Sequence, residues 1–278
     1  MNDLLLLAIL PVIGLAYFIY RKDTHKEPMK LLRKLFILGF LSAFPVIFVE
    51  LILGNYFPTE GLEDFISIFI AYFIGVGLVE EFFKWIIVKL FTYNDKEFDE
   101  IYDIIVYSVF VSLGFACIEN IMYVTRFGYI NAILRAITSI PGHTCFGVIM
   151  GYYYSKAKVS QISNNKKVSN YNLVLSLLIP AIIHTLYDSI LSYISGNGGF
   201  ILFVCFDVFM VIYCFNLVNK CFKVQQNLYK KEHDGVIREV ASGIVDIQKS
   251  HLPTTYCPVC GNYVKGAHYC SYCGYKVE

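Results

Sequence analysis

The sequence is poor in charged residues. Only 16% of its 278 residues are Asp, Glu, Lys or Arg, whereas a soluble domain usually carries about 25%. Long basic tracts are also missing, and the net charge of +1 gives no electrostatic reason to expect a nucleic-acid partner. The composition is instead 56% apolar, with apolar runs of about twenty residues or more. These features exclude an ordinary soluble domain and predict a membrane protein.

Two further patterns are absent. No stretch alternates apolar and polar residues in the way that a membrane β-barrel requires. The N-terminus, MNDLLLLAILPVIGLAYFIYRKD, lacks the basic start and the small-residue cleavage site of a signal peptide. We therefore expect this segment to be retained as a first helix, and we predict an all-α polytopic membrane protein.

Apolar segments of about the length needed to cross a hydrocarbon core of about 30 Å recur along the chain. We mark seven of them, at residues 4–20, 35–57, 65–91, 102–125, 132–154, 173–194 and 200–218. Helices are the expected spanning form, because each backbone polar group must find its partner within the segment. About seven transmembrane helices are thus predicted within a membrane-embedded domain of residues 1–220.

The distribution of lysine and arginine predicts the orientation. Residues 21–34 and 156–167 and the tail after residue 218 are rich in these residues, whereas 58–64 and 195–199 contain none. The positive-inside rule then puts the N-terminus outside and the C-terminus in the cytoplasm of the cell membrane. The loop at 92–101 is acidic and gives no support, so the orientation rests on the other basic segments.

The C-terminal residues 256–278 form a separate pattern, CPVCGNYVKGAHYCSYCG, after a polar linker at 221–255. Two Cys-x-x-Cys pairs, each followed by glycine, are typical of a small zinc ribbon with a tetrahedral four-thiolate site. The four predicted zinc ligands are Cys257, Cys260, Cys270 and Cys273. His268 could replace one ligand, and a disulfide pair is the alternative. The reducing cytoplasm favours structural zinc. A protein partner or a regulatory role is possible for this ribbon.

Several ionisable residues interrupt the apolar segments, where each unpaired charge costs about 2.5–3.5 kcal/mol. They are Glu80, Glu81, Lys84, Asp103, Glu119, Arg135, His143, His184, Asp188 and Asp207. Counted along antiparallel helices, several of these residues fall at a similar depth, as a shared site requires. Buried polar residues can also merely tie helices together. We favour that interpretation for Asp207, and it stays open for Glu119.

Residue spacing indicates which of these groups can cooperate. Lys84 follows Glu80 by four residues and Glu81 by three, so either carboxylate can meet it on one helix face. The two glutamates point about 100° apart, and we expect only one to pair with Lys84 while the other faces a cavity. Asp188 follows His184 by four residues and can orient the imidazole.

The sequence PGHTCFG places His143 directly after a proline and a glycine. Proline inside a helix removes a backbone hydrogen bond and bends or breaks the helix. We therefore expect Pro141 and Gly142 to open space beside the imidazole.

Four stretches, GLVEEFFKW, GFACIENIMY, HTCFGVIMGYYYSKAK and IIHTLYDS, resemble the ordered motifs of the PrsW family of membrane-embedded proteases. They are more distantly similar to the glutamate-dependent type II CAAX prenyl endopeptidases. The resemblance covers residues 35–218. It implies a protease that cleaves a membrane-anchored protein at its extracytoplasmic side, with an anti-sigma factor as a candidate substrate. It also implies a role in a stress response. The ribbon is not part of this pattern.

Carried over by position, the resemblance assigns the site residues Glu80, Glu81, Lys84, Glu119, His143 and His184, and Asp188 joins them by its spacing to His184. A buried carboxylate can activate water, and imidazole N–H groups can stabilise the oxyanion. Alternatively, Glu and His ligands hold a catalytic metal. The His-x-x-x-His spacing of zincins is absent, so we favour the metal-free glutamate mechanism. A proton- or ion-coupled transporter or sensor is the alternative function.

Overall fold

The computed structural model describes residues 2–23, 26–93, 102–162, 165–194 and 200–241, and the side chains of the last segment only as far as residue 221. Throughout these ranges the regular secondary structure is helical. The predicted zinc ribbon, with Cys257, Cys260, Cys270 and Cys273, lies outside the described residues. The ribbon and its metal therefore stay predictions.

The helices follow the apolar segments marked in the sequence. They are α1 (Asn2–Lys22), α2 (Met29–Leu53), α3 (Phe65–Tyr72), a π-helical turn (Phe73–Gly77), α4 (Leu78–Phe91), α5 (Asp103–Ile137), α6 (Ser139–Ile162), α7 (Lys166–Ile194) and α8 (Phe200–Ala241). Because α3, the π-helical turn and α4 form one continuous rod, the seven predicted spans are all present as helices. The last helix, α8, continues through the predicted domain boundary at residue 220.

Six helical stretches of the described chain are long and apolar enough to cross a membrane. One of them, Asp103–Gln161, has 59 residues and combines α5 with α6. Such a stretch would measure about 88 Å if it were straight, nearly three times a hydrocarbon core of about 30 Å. It therefore has to fold back, and α5 and α6 pack against each other.

The reversal occurs at Gly128, which has a φ of 80° inside α5. Beyond Gly128 the chain returns, so that Arg135 Nη2 lies 3.0 Å from Glu119 Oε2. The returning arm comprises residues 129–137. A glycine suits this position because other residues seldom adopt a positive φ. The predicted span at 132–154 thus had the wrong start, since its first residues belong to this arm and α6 begins only at Ser139.

The prediction that Pro141 and Gly142 break a helix beside His143 is also wrong. Pro141 is the third residue of α6 and lies in its first turn. Backbone N–H groups there have no partner within the helix, so proline is tolerated without a kink. The pair therefore marks the start of α6, and His143 lies in the next turn.

The centre of the bundle is α5. Its residues 103–117 are buried on every side, as expected for a helix that is apolar all round. It packs against α1, α2 and α6. The approach to α2 is so close that a Cβ on Gly114 would overlap the carbonyl oxygen of Phe36. Large apolar side chains on α1, α2 and α8 instead face outward, as a lipid environment requires.

The rod formed by α3, the π-helical turn and α4 carries the first candidate motif. Its start is capped by Asp64, whose Oδ1 accepts a hydrogen bond from the backbone N–H of Ser67 at 2.8 Å. Hydrogen bonds from the Ser67 side chain and backbone lower the pKa of the exposed Asp64 carboxyl group. Short π-helical insertions are frequent at functional sites. Here the insertion ends three residues before Glu80 and sets the direction of the motif.

Candidate active site

The Lys84 ammonium group is the centre of the polar cluster. It is 0% exposed, and its Nζ donates to Glu80 Oε2 at 2.9 Å and to Glu81 Oε1 at 2.8 Å. It also lies 3.3 Å from His143 Nδ1 and 4.2 Å from the centre of the Phe115 ring. One lysine thus joins both carboxylates of its own helix to α5 and α6.

The expectation that only one glutamate would reach Lys84 is wrong. The two Cα–Cβ bonds do diverge around α4, but a glutamate side chain is long enough to swing its carboxylate towards a common point. Both carboxylates also approach the same imidazole, since His184 Nδ1 lies 3.0 Å from Glu81 Oε1 and 3.8 Å from Glu80 Oε2.

His143 is held by a chain of charged partners. Its Nε2 lies 2.7 Å from Glu119 Oε2, and Arg135 Nη2 lies 3.0 Å from the same oxygen. A carboxylate paired with arginine can only accept hydrogen bonds, so His143 Nε2 carries a proton. The neutral ring then presents the lone pair of its Nδ1 to the centre of the site, where Lys84 donates to it.

His184 lies between carboxylates on both sides of its ring. Its Nε2 lies 3.4 Å from Asp188 Oδ2 in the next turn of α7, as the spacing predicted. Its Nδ1 faces Glu81. The ring stacks on Phe146, with 4.6 Å between the ring centres, and meets the His143 ring edge to face at 5.4 Å. The two histidines are thus neighbours in a packed layer.

The remaining candidates lie elsewhere or have structural roles. Asn120 donates to the carbonyl of Ala8 and accepts from Arg135 Nε, both at 2.9 Å, so it ties α1 to the returning arm of α5. Asp207 is buried on α8, and no described residue donates to its Oδ1. Asp103 is buried at the start of α5.

Two residues of the site were not predicted as members of it. Arg135 was noted only as an ionisable residue near a helix start, because its contact with Glu119 depends on the reversal at Gly128. Glu50 was missed entirely. It is a single carboxylate near the end of α2, in PVIFVELIL, and a lone acidic residue in an apolar run was the available signal.

The cluster forms the floor of a cavity of about 860 Å³. Ligand sites in proteins usually measure about 300–1,000 Å³, so this cavity can take a stretch of peptide. Its walls come from several elements: Val46 and Glu50, Tyr72 and Val76, Phe115 and Tyr123, Asn131 and Thr138, and Leu191 and Phe203. The loop residue Thr59 and Ser192 near the end of α7 also line it, so the cavity extends to the end of the bundle opposite the basic loops.

The charge of the cluster is unbalanced. Two permanent cations, Lys84 and Arg135, face five carboxyl groups, those of Glu50, Glu80, Glu81, Glu119 and Asp188. Several buried carboxylates in excess of cations are costly, and they require protons or an additional cation.

Three donors converge where such a cation could be held. One ligand atom each of Glu80, His143 and His184 lies within 4.8 Å of the others. Metal-ligating histidines usually direct their second ring nitrogen at a carboxylate, as His143 does towards Glu119 and His184 towards Asp188. Imidazole and carboxylate ligands suit zinc and similar divalent metals. The donor set therefore fits a metal ion.

The chain is similar to a known family of membrane-embedded proteases. The family model described as PrsW family intramembrane metalloprotease matches residues 27–215. A Protease PrsW of Oceanobacillus iheyensis is 41% identical over 196 residues, which is 70% of this chain and 86% of that protein. The Protease PrsW of Bacillus subtilis is 38% identical over 189 residues, 68% of this chain and 82% of that protein. No solved structure matches the chain.

The matched region contains every residue of the polar cluster, from Glu50 to Asp188. The prediction of an intramembrane peptidase is confirmed, as is that of a multi-pass membrane protein. The family description names metalloproteases, which does not fit our preference for a metal-free mechanism. This protein belongs to the PrsW family and is an intramembrane protease.

Proposed function

We propose that the protein hydrolyses a peptide bond of a membrane-anchored protein near the extracytoplasmic face of the cell membrane. The observation that carries the proposal is the convergence of Glu80, His143 and His184 on the floor of the cavity. The cavity extends away from the basic loops, and the positive-inside rule assigns those loops to the cytoplasm. A membrane-anchored anti-sigma factor is one candidate substrate with a cleavable segment on that side of the membrane, and its cleavage would link the enzyme to a stress response.

We propose that the reaction depends on a divalent metal held by Glu80, His143 and His184. Such an ion would activate a water molecule for attack and polarise the scissile carbonyl. Two observations support this choice over our sequence-based preference. The first is that Nε2 of each histidine lies next to a carboxylate, Glu119 for His143 and Asp188 for His184. The second is that the cluster has more carboxyl groups than permanent cations.

The protein's own residues have distinct roles in this proposal. Glu119 and Arg135 fix the tautomer of His143, so that its Nδ1 lone pair faces the site. Asp188 orients the ring of His184 in the same way. Glu81, adjacent to the ligand Glu80, is fully buried outside the cavity lining, and its Oε1 holds Lys84 at 2.8 Å and the ring of His184 at 3.0 Å. Lys84 forms ion pairs with both carboxylates and so stabilises their negative charge inside the bundle.

The metal-free mechanism is the second candidate, and the position of Lys84 favours it. The ammonium group donates to Glu80 and Glu81 and faces His143 Nδ1. It therefore occupies the lone pairs of Glu80 and His143 that would otherwise bind a metal ion. In this alternative one glutamate activates water, and the ring N–H of His184 stabilises the oxyanion.

The activity is tested with purified full-length protein in liposomes and a single-span model substrate. The variants Glu80→Gln and Glu81→Gln are expected to reduce cleavage at least about 100-fold, the range of one general acid–base group. Glu63→Gln is the matched control, because Glu63 is exposed in the α2–α3 loop outside the cavity. Wild-type cleavage by both site variants would refute the assignment.

A chelator titration separates the two mechanisms. The protein carries Cys→Ser substitutions at all four ribbon cysteines, so that the predicted structural zinc cannot influence the result. The metal-dependent mechanism predicts loss of cleavage with a strong chelator and recovery on adding Zn²⁺. Full activity in protein that is shown to contain no metal would refute the metal-dependent mechanism and support the glutamate mechanism.

A further inference from the structure

Glu50 is the one cavity carboxylate for which the mechanism above has no use. It lies one turn before the end of α2 and lines the catalytic cavity. Its Oε1 is sealed from solvent, and no residue in the described ranges donates a hydrogen bond to it. An acceptor buried in this way costs free energy unless a donor satisfies it. A donor that enters the cavity with a bound substrate would satisfy it.

The surroundings of Glu50 select a positively charged donor. Glu80 and Glu119 lie close enough to repel a negative charge on Glu50, and the attraction of His184 and Lys84 offsets only part of this repulsion. Arg135 is the one permanent cation among the described residues that line the cavity, and its Nη2 is already ion-paired with Glu119 Oε2 at 3.0 Å. A second acceptor, Asn131 Oδ1, is also buried in the cavity wall without a described partner. A group with several N–H donors would suit this wall.

The shape next to Glu50 indicates a long side chain. A side pocket of about 490 Å³ opens there, and it shares Ile47, Glu50, Thr59 and Val76 with the catalytic cavity. Apolar walls from Ile47, Phe57 and Val76 adjoin the carboxyl groups of Glu50 and Glu60. Lysine and arginine side chains match this pocket, because each has an apolar stem and a positively charged head.

We propose that Glu50 and this side pocket form a subsite for a lysine or arginine side chain of the substrate, close to the scissile bond. The stem packs against Ile47 and Val76, and the head reaches the carboxylate of Glu50. This subsite rests on the proposed peptidase function, and it would make the enzyme selective for membrane proteins with a basic residue on the extracytoplasmic side of their transmembrane segment.

The test uses full-length protein in liposomes and a set of single-span model peptides. Within the set, one position at a time on the extracytoplasmic flank is Lys, Gln or Glu. Wild type should cleave the Lys peptide at least about tenfold faster than the Gln peptide at one or two positions, a difference of about 1.4 kcal/mol. Glu50→Gln should bring this ratio close to one, and Glu50→Lys should make the Glu peptide the fastest. Glu63→Gln should keep the wild-type ratio.

Ratios within one protein sample do not depend on how much of a variant is folded. A Lys preference that persists in Glu50→Gln, or equal cleavage of all peptides by wild type, would overturn the subsite and leave the peptidase function standing. No cleavage of any peptide by wild type would instead remove the proposed activity and the subsite with it.

Discussion

Glu119 and Arg135 form an ion pair at 3.0 Å although a straight helix would hold them about 24 Å apart. The reversal at Gly128 brings the guanidinium group back over the carboxylate, which in turn holds His143 Nε2 at 2.7 Å. The returning arm of α5 therefore belongs to the polar cluster of the candidate active site, and we propose that Arg135 positions His143 through Glu119.

Replacing Arg135 should weaken catalysis through His143. We expect Arg135→Gln to lower kcat about 10–100-fold, the usual cost of losing a residue that orients a ligand or base. Arg135→Lys should recover much of this loss, because it restores the positive charge next to Glu119. If Arg135 had only a structural role, restoring the charge alone would not recover the activity. Arg126→Gln is the control, since Arg126 is exposed and stacks only on Phe127 in the described contacts. An equal loss in both glutamine variants would argue against positioning.

Removing Lys84 should destabilise the whole bundle. Lys84→Met leaves Glu80 and Glu81 buried without their cation, and breaking such a buried pair typically costs about 3–5 kcal/mol. Thermal unfolding in detergent should show a clearly lower Tm, whereas Lys30→Met on the exposed face of α2 should leave Tm unchanged. The double variant Glu80→Gln with Lys84→Met should regain part of the loss. An unchanged Tm for Lys84→Met would contradict the central role of this ion pair.

The close contact of the π-helical turn with α7 should be sensitive to a single methyl group. A Cβ on Gly77 would overlap Thr185 Oγ1 and crowd the carbonyl oxygen of Ala181 at 3.1 Å. Gly77→Ala therefore requires Thr185 to leave its hydrogen bond with that carbonyl or the π-helical turn to move from α7, and either change disturbs the packing next to His184. We expect at least a tenfold loss of cleavage with the protein still folded, as measured by circular dichroism. Gly75→Ala is the matched control in the same turn, because its Cβ would meet only the Phe57 carbonyl at an ordinary 3.8 Å. Equal activity of both variants would show that the contact does not position the site.

Metal analysis tests the proposed ligand set independently of activity. In a protein whose ribbon cysteines are all serine, we expect about one equivalent of divalent metal per chain. His143→Ala and His184→Ala should abolish this binding, and Glu119→Gln should weaken it about 10–100-fold, because Glu119 acts behind His143. Unchanged metal content in both histidine variants would refute the metal site and leave the metal-free mechanism.

Most of the architecture could be read from the apolar runs. The seven predicted spans are all helices, because a bilayer core tolerates few other ways to satisfy the backbone. Local spacing also identified true neighbours, since His184 and Asp188 do meet along α7. The start of α6 was misplaced because apolar composition does not reveal that the chain reverses at Gly128.

The amino-acid sequence specifies a helical membrane protein, and ionisable residues in four of its predicted spans indicate the candidate site. How these residues meet depends on the packing of the folded helices. Glu80 and Glu81 share Lys84, Arg135 returns to Glu119, and Glu50 lines the cavity with an Oε1 to which no described residue donates. The physical reason is that helical periodicity defines which way a Cα–Cβ bond points, whereas flexible side chains, a reversed arm and the packing of distant helices define where a charged group lies.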